Sequence, residues 1–218
     1  MTTVLCFGDS NTHGTMPLPA QDLIDRHGPE VRWPGVMARE LGSDFRVIEE
    51  GLPGRTTVHD DPIEGAHMNG LTALPMLVGS HSPLDIVVLM LGTNDLKTRF
   101  SVTAADIAAA LERLVGALRV HCTAPGRTQP QILLVAPPPI QEVDWLAEKF
   151  VGGAAKSKGL GGAIGRSAER LGAAFLDAGE HIEVSPVDGL HYDAATHSTL
   201  GQVIASAVRK LASTSPRP

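Results

Sequence analysis

The feature that most constrains this chain is a series of short, nearly continuous apolar runs: Val4–Phe7, Phe45–Ile48, Ile86–Leu91 and Ile132–Ala136, with a weaker fifth at Ala174–Leu176. They are rich in Val, Ile, Leu and Phe and show little polar alternation. A strand with one wet face alternates. A strand covered on both faces has no reason to, and that is the situation inside a parallel sheet. The runs therefore predict buried parallel strands, which need crossover segments between them.

The intervening sequence supplies those crossovers. Trp33, Val36, Met37 and Leu41 share one helical face, with Pro34 tolerated in the first turn. Asn69 is placed to cap a helix carrying Leu71, Leu74, Leu77 and Val78, which Pro75 interrupts or bends. From Thr103, the residues Ile107, Leu111, Leu114, Val115 and Leu118 form the clearest stripe. A later helix carries Ile164, Ala168 and Leu171, and a last one runs from about Ser198 to Leu211. The glycines of Gly152–Gly165 weaken helix formation and mark a candidate mobile loop. Alternation of this kind is an α/β fold with right-handed crossovers.

With 218 residues, 43% hydrophobic and 19% charged, the chain reads as one globular domain over residues 1–212. The closing 213–218, "STSPRP", reads as a disordered tail. A net charge of −6, a pI near 5.8 and the lack of Lys/Arg clusters exclude a nucleic-acid binder. Cys6 and Cys122 are too few for a disulfide framework and have no neighbours at metal-ligand spacing. The first ten residues lack a basic secretory leader, and no apolar run approaches the ~20 residues of a membrane span, so a soluble cytoplasmic protein is expected.

In an open parallel sheet, ligands sit beyond the carboxyl ends of the strands. Four segments occupy that edge: Gly8–Gly14, Glu50–Thr57, Gly92–Leu96 and Val187–His191. Ser10, on the turn after the first strand, is a possible nucleophile, though a lone Gly-Asp-Ser is as well explained as a helix N-cap. Asp188 and His191, three residues apart, have the spacing for a carboxylate to reach Nδ1–H and leave Nε2 as a general base for Ser10. Ser10 N–H, Gly54 N–H and the Asn94 amide are candidate donors to an oxyanion. His197 is a rival base, but its place at the start of the last helix reads as structural or gate-lining.

Taken together, "LCFGDS", "RWPGVMARELG", "VIEEGLPGRTT", "LDIVVLMLGTND", "LLVAPPP" and "VDGLHY" resemble the SGNH (GDSL-type) hydrolases, closest to the bacterial arylesterase/acyltransferase branch. The resemblance spans essentially the whole chain. It implies a three-layer α/β/α, flavodoxin-like fold with five parallel strands. It implies Ser10 as nucleophile, His191 as base and Asp188 as its orienter, with Ser10, Gly54 and Asn94 around the oxyanion. It also implies no metal, no cofactor, a small acyl ester as substrate and, as in many members of the branch, a homo-oligomer.

Departures from that branch bear on specificity. Asn11, His13 and Thr15 stand where relatives often carry Leu and Trp, which would make the mouth more polar and favour hydrolysis over acyl transfer to alcohols. Arg55 is a candidate for positioning a polar substrate, or else pairs with Glu49 or Glu50. Trp145 and Phe150 are candidates for an apolar wall over the acyl group, or else pack ordinarily. His59, His67, Asp60 and Asp61 lack tight metal-ligand spacing and read as a loop lining an entrance or an oligomer contact. The leading expectation is a serine esterase for short acyl esters of aryl or carbohydrate alcohols. The alternatives are an acyltransferase, a thioesterase or lysophospholipase, and a non-catalytic sugar-binding module.

Overall fold

The computed structural model of the chain describes residues 1–21, 23–122 and 129–214. Five parallel strands form one sheet: β1 (Thr2–Gly8), β2 (Phe45–Gly51), β3 (Ile86–Met90), β4 (Gln131–Ala136) and β5 (Ala174–Asp177), in the order β2-β1-β3-β4-β5. The helices are α1 (Ser10–His13), α2 (Trp33–Leu41), α3 (Gly70–His81), α4 (Ala104–His121), α5 (Gly153–Ser157), α6 (Leu160–Leu171) and α7 (Ala194–Thr214). Every strand predicted from an apolar run is present.

The central strands explain their own composition. Val4 and Cys6, with Ile86, Val88 and Met90, pack against α2 and α7 through Trp33, Met37, Leu200, Ile204 and Val208. Leu5 and Phe7, with Val87 and Leu89, pack on the other face against Leu74, Val78, Ile107, Leu111 and Leu114 of α3 and α4. Successive side chains of one strand feed two different cores, so neither set can be polar.

Local signals set the helix starts. Asn69 Oδ1 accepts from Leu71 N and Thr72 N, and α3 then runs unbroken through Pro75, which removes one ladder bond without ending the helix. Thr103 and Asp106 form a reciprocal capping box at α4.

Three expectations are corrected. The glycine-rich stretch is not a loop: α5 and the first half of α6 lie in it, anchored by buried Leu160, Ala163 and Ile164. The last helix begins at Ala194, where Asp193 Oδ1 accepts from Thr196 N, rather than at about Ser198. It also continues to Thr214, so Ser213 and Thr214 are helical, and the rest of the expected tail lies outside the described residues.

The strand order reverses between β1 and β3, since β2 is added on one side of β1 and β3 to β5 on the other, all parallel. The crevice for a ligand opens at such a point, beyond the carboxyl ends of β1 and β3.

Candidate active site

β1 delivers Gly8, Asp9 and Ser10 to this edge. Asp9 caps the short α1 by accepting from Asn11 N at 3.0 Å, and Ser10 occupies its first position. Gly8 has no room for a side chain, because a β-carbon there would stand 2.0 Å from Thr12 Oγ1 and 2.8 Å from the Met90 carbonyl. The turn from strand to helix is thus tight enough to hold Ser10 at the rim of the sheet.

The loop before α7 brings the other two groups. Ser10 Oγ lies 3.1 Å from His191 Nε2, and His191 Nδ1 lies 2.6 Å from Asp188 Oδ2. Asp188 Oδ1 accepts from Leu190 N and His191 N, each at 3.0 Å, and Oδ2 accepts from Leu18 N at 2.8 Å. Burial alone would raise the Asp188 carboxyl, but the bonds from His191 and Leu18 outweigh it and hold the group below its ordinary value. An ionised carboxylate only accepts, so Nδ1 carries the proton and the Nε2 lone pair faces the Ser10 hydroxyl.

Asn94 opens a short 3₁₀ turn after β3 and is buried, and its Nδ2 has no acceptor among the described residues. An unmet buried donor is costly unless something else satisfies it. Gly54 sits in the turn after β2 with φ +87°, a conformation that suits glycine. The loops bearing Gly54 and Asn94 are stitched together by Asp95, which accepts from Thr57 N at 3.0 and 3.1 Å and from Thr57 Oγ1.

The other candidate residues fall elsewhere. Asn11 turns inward and donates to the Leu190 carbonyl at 3.1 Å, tying α1 to the His191 loop. Thr15 is buried and meets His13 Nδ1 at 3.2 Å. Of the three expected polar mouth residues only His13 is partly exposed, so the polarity inferred from them is largely internal. Burial, with Arg26 and Arg32 nearby, lowers the His13 pKa.

Arg55 is 4% exposed: its Nη1 donates to the carbonyls of Gly8 and Glu50, and its guanidinium lies 4.2 Å over the Phe7 ring. It ties the carboxyl ends of β1 and β2 together through those two carbonyls. The expected pairing partners look elsewhere, Glu49 to Arg32 and the Glu50 carboxylate to His81. Trp145 packs against the core and donates from Nε1 to the Leu18 carbonyl at 3.2 Å, while Phe150 is buried within that core. Phe150 packs as an ordinary core aromatic, and Trp145 is linked to Asp188 through Leu18.

His197 is fully buried, with Trp33 N donating to its Nδ1 at 3.2 Å and with the rings of His27 and Tyr192 at 5.1 and 5.5 Å. Burial drives its pKa down to about 3, so it stays neutral and structural. Among the described residues no group of three or more His, Cys, Asp or Glu side chains is placed to hold a metal ion. Asp61 is drawn instead into an ion-pair cluster with Glu64, Lys97 and Arg99, and His59 stacks on Phe100. That cluster was not legible in the sequence, since its members are scattered over two loops and match no motif. No helix among the described residues is long and apolar enough to cross a membrane.

The sequence model of the GDSL-like lipase/acylhydrolase family matches residues 6–199. Among solved structures, the aryl esterase of M. smegmatis is 40% identical with a TM-score of 0.92, covering 97% of this chain and 100% of that one. Est24, a carbohydrate acetylesterase from Sinorhizobium meliloti, is 42% identical with a TM-score of 0.93 over 97% and 100% of the two chains. A putative arylesterase from Agrobacterium tumefaciens is 38% identical with a TM-score of 0.87 over the same shares. A search of curated proteins finds no match.

Fold and relatives together define the class, a carboxylic ester hydrolase of the SGNH type. The chain belongs to the GDSL-like lipase/acylhydrolase family. That membership sets aside the non-catalytic binding module.

Proposed function

We propose that this chain is a serine esterase that hydrolyses short-chain acyl esters of aryl or carbohydrate alcohols through an acyl-enzyme on Ser10. The observation that carries the reading is the continuous relay from Ser10 Oγ through the His191 ring to the buried Asp188 carboxylate. His191 Nε2 takes the Ser10 proton as Oγ bonds to the ester carbonyl carbon. The carbonyl oxygen becomes an oxyanion that accepts from Ser10 N–H, Gly54 N–H and Asn94 Nδ2. Collapse breaks the carbon–oxygen bond to the alcohol, which leaves with the proton from His191. Water then repeats both steps, losing its proton to His191, releasing the carboxylic acid and restoring Ser10.

The substrate class rests on the relatives, an aryl esterase and a carbohydrate acetylesterase each about two-fifths identical over nearly the whole chain. The test compares p-nitrophenyl acetate with p-nitrophenyl octanoate, using Ser10→Ala as the blank. Fast acetate turnover, slow octanoate turnover and a dead blank are expected. A preference for octanoate would instead favour a lipase or thioesterase, and a blank as active as the parent would overturn the mechanism.

A further inference from the structure

Four charged side chains form a compact cluster in the segments that follow Gly54 and Asn94, outside the Ser10–His191–Asp188 relay. Lys97 Nζ lies 2.8 Å from Glu64 Oε2 and 3.5 Å from Asp61 Oδ2. Arg99 Nη2 lies 2.7 Å from Glu64 Oε1 and 2.6 Å from Asp61 Oδ2. Asp61 Oδ1 also accepts from Ile63 N and Glu64 N, so the acidic loop is fixed on itself. The Asp61 side chain is fully buried and that of Lys97 is 4% exposed, whereas Glu64 keeps 29% exposure.

The position of the cluster gives it consequence. A β-carbon on Gly54 would stand 2.6 Å from Glu64 Oε2, so that carboxylate abuts the residue whose N–H is proposed to serve the oxyanion. Lys97 follows the Asn94–Leu96 turn directly, and Lys97 N donates to the Asn94 carbonyl at 3.2 Å. Two acids and two bases thus balance to zero between the two loops that supply oxyanion donors. An uncompensated carboxylate at Glu64 would oppose the negative charge that grows on the carbonyl oxygen, and in a buried site that opposition is weakly screened.

We infer that Lys97 and Arg99 neutralise Glu64 so that the Gly54 side of the oxyanion hole stays electrostatically permissive, making Lys97 and Glu64 positioning residues with opposite effects on turnover. The inference rests on the proposed acyl-enzyme reading of Ser10, Gly54 and Asn94. Removing the ammonium leaves a net negative cluster beside the oxyanion. Removing the carboxylate leaves a net positive one. A purely structural cluster would respond alike to both losses, because each breaks the same ion pair.

The experiment measures kcat and KM on p-nitrophenyl acetate for Lys97→Met, Glu64→Gln, the double variant and Lys97→Arg, with Ser10→Ala alongside. Lys97→Met is expected to lower kcat roughly ten-fold and Glu64→Gln to raise it about two- to three-fold, with KM within about two-fold throughout. The double variant returns towards the parent, and Lys97→Arg retains most activity. Arg170→Met, which breaks the exposed pair with Glu112 on α4 and α6, serves as the control and leaves kcat unchanged. Should Lys97→Met fail to fold, Glu64→Gln alone decides, because a fall in its kcat overturns the inference. Equal losses in both single variants, or kcat flat in both, would likewise overturn it. If Ser10→Ala is dead while the cluster variants are flat, only this inference fails. If Ser10→Ala is fully active, the reading beneath it fails.

Discussion

The backbone N–H of Leu18 donates to Asp188 Oδ2 at 2.8 Å, the same carboxylate oxygen that receives the proton-bearing Nδ1 of His191. Leu18 is in turn held by the Trp145 indole through its carbonyl. A segment remote in sequence therefore helps to fix the Asp188 carboxylate. Asp188→Asn disturbs both bonds and allows the wrong His191 tautomer, so kcat is expected to fall on the order of 10⁴-fold. Trp145→Phe removes only the outer tether. It is expected to cost about 1 kcal/mol of stability and to lower kcat several-fold with KM nearly constant, as steady-state kinetics with a urea titration would show.

Asn94→Ala separates activity from stability. Losing one oxyanion donor is expected to lower kcat by about 10²–10³. Its Nδ2 is buried without an acceptor among the described residues, so removing that donor strands no acceptor and the urea midpoint should hold or rise. A variant that loses stability and activity together would show that Asn94 is structural.

Asp9 gives a pH signature. Burial lifts its pKa to about 6, above the ordinary 3.8. The folded protein therefore binds the extra proton between those values, and the charged form is a destabilising burden above pH 6. Asp9→Asn keeps an acceptor for Asn11 N and removes that burden. The expected gain is on the order of 2–3 kcal/mol at pH 8, shrinking as pH falls through 6 and vanishing below about 4. Denaturant titrations at three pH values test it.

His197 works in the opposite direction. Its folded pKa of about 3 lies below the ordinary 6.5, so the unfolded chain takes up the proton first as pH falls. Stability attributable to this residue is intact above 6.5 and is lost between 6.5 and 3, at about 1.4 kcal/mol per pH unit. His197→Asn, which keeps an acceptor for Trp33 N, is expected to be less stable at pH 7 but to show a flatter acid limb.

The sequence displayed the strands well because Val4–Phe7 and Ile86–Met90 serve two cores at once, and that burial leaves its mark directly on composition. The meeting of Ser10, Asp188 and His191 was legible because each lies at the edge of a strand or helix, where chain position and chemistry coincide. What stayed hidden depended on side-chain direction or tertiary packing. Asn11 and Arg55 are absorbed by backbone carbonyls of Leu190, Gly8 and Glu50, and Thr15 by the His13 imidazole. In Gly152–Gly165 the intrinsic cost of glycine in a helix is overridden by the burial of Leu160 and Ile164. The Asp61–Glu64–Lys97–Arg99 cluster joins residues up to 38 positions apart, and no local pattern announces such a contact.

The most direct test of the account is intact-mass and peptide-mapping spectrometry after reaction with a fluorophosphonate ester. Oγ attack with loss of fluoride should leave one phosphonyl group on Ser10, no adduct in Ser10→Ala and a much slower one in His191→Ala. An enzyme that remains unmodified and fully active, or that carries the label at another residue, would contradict the assignment of Ser10 as the nucleophile.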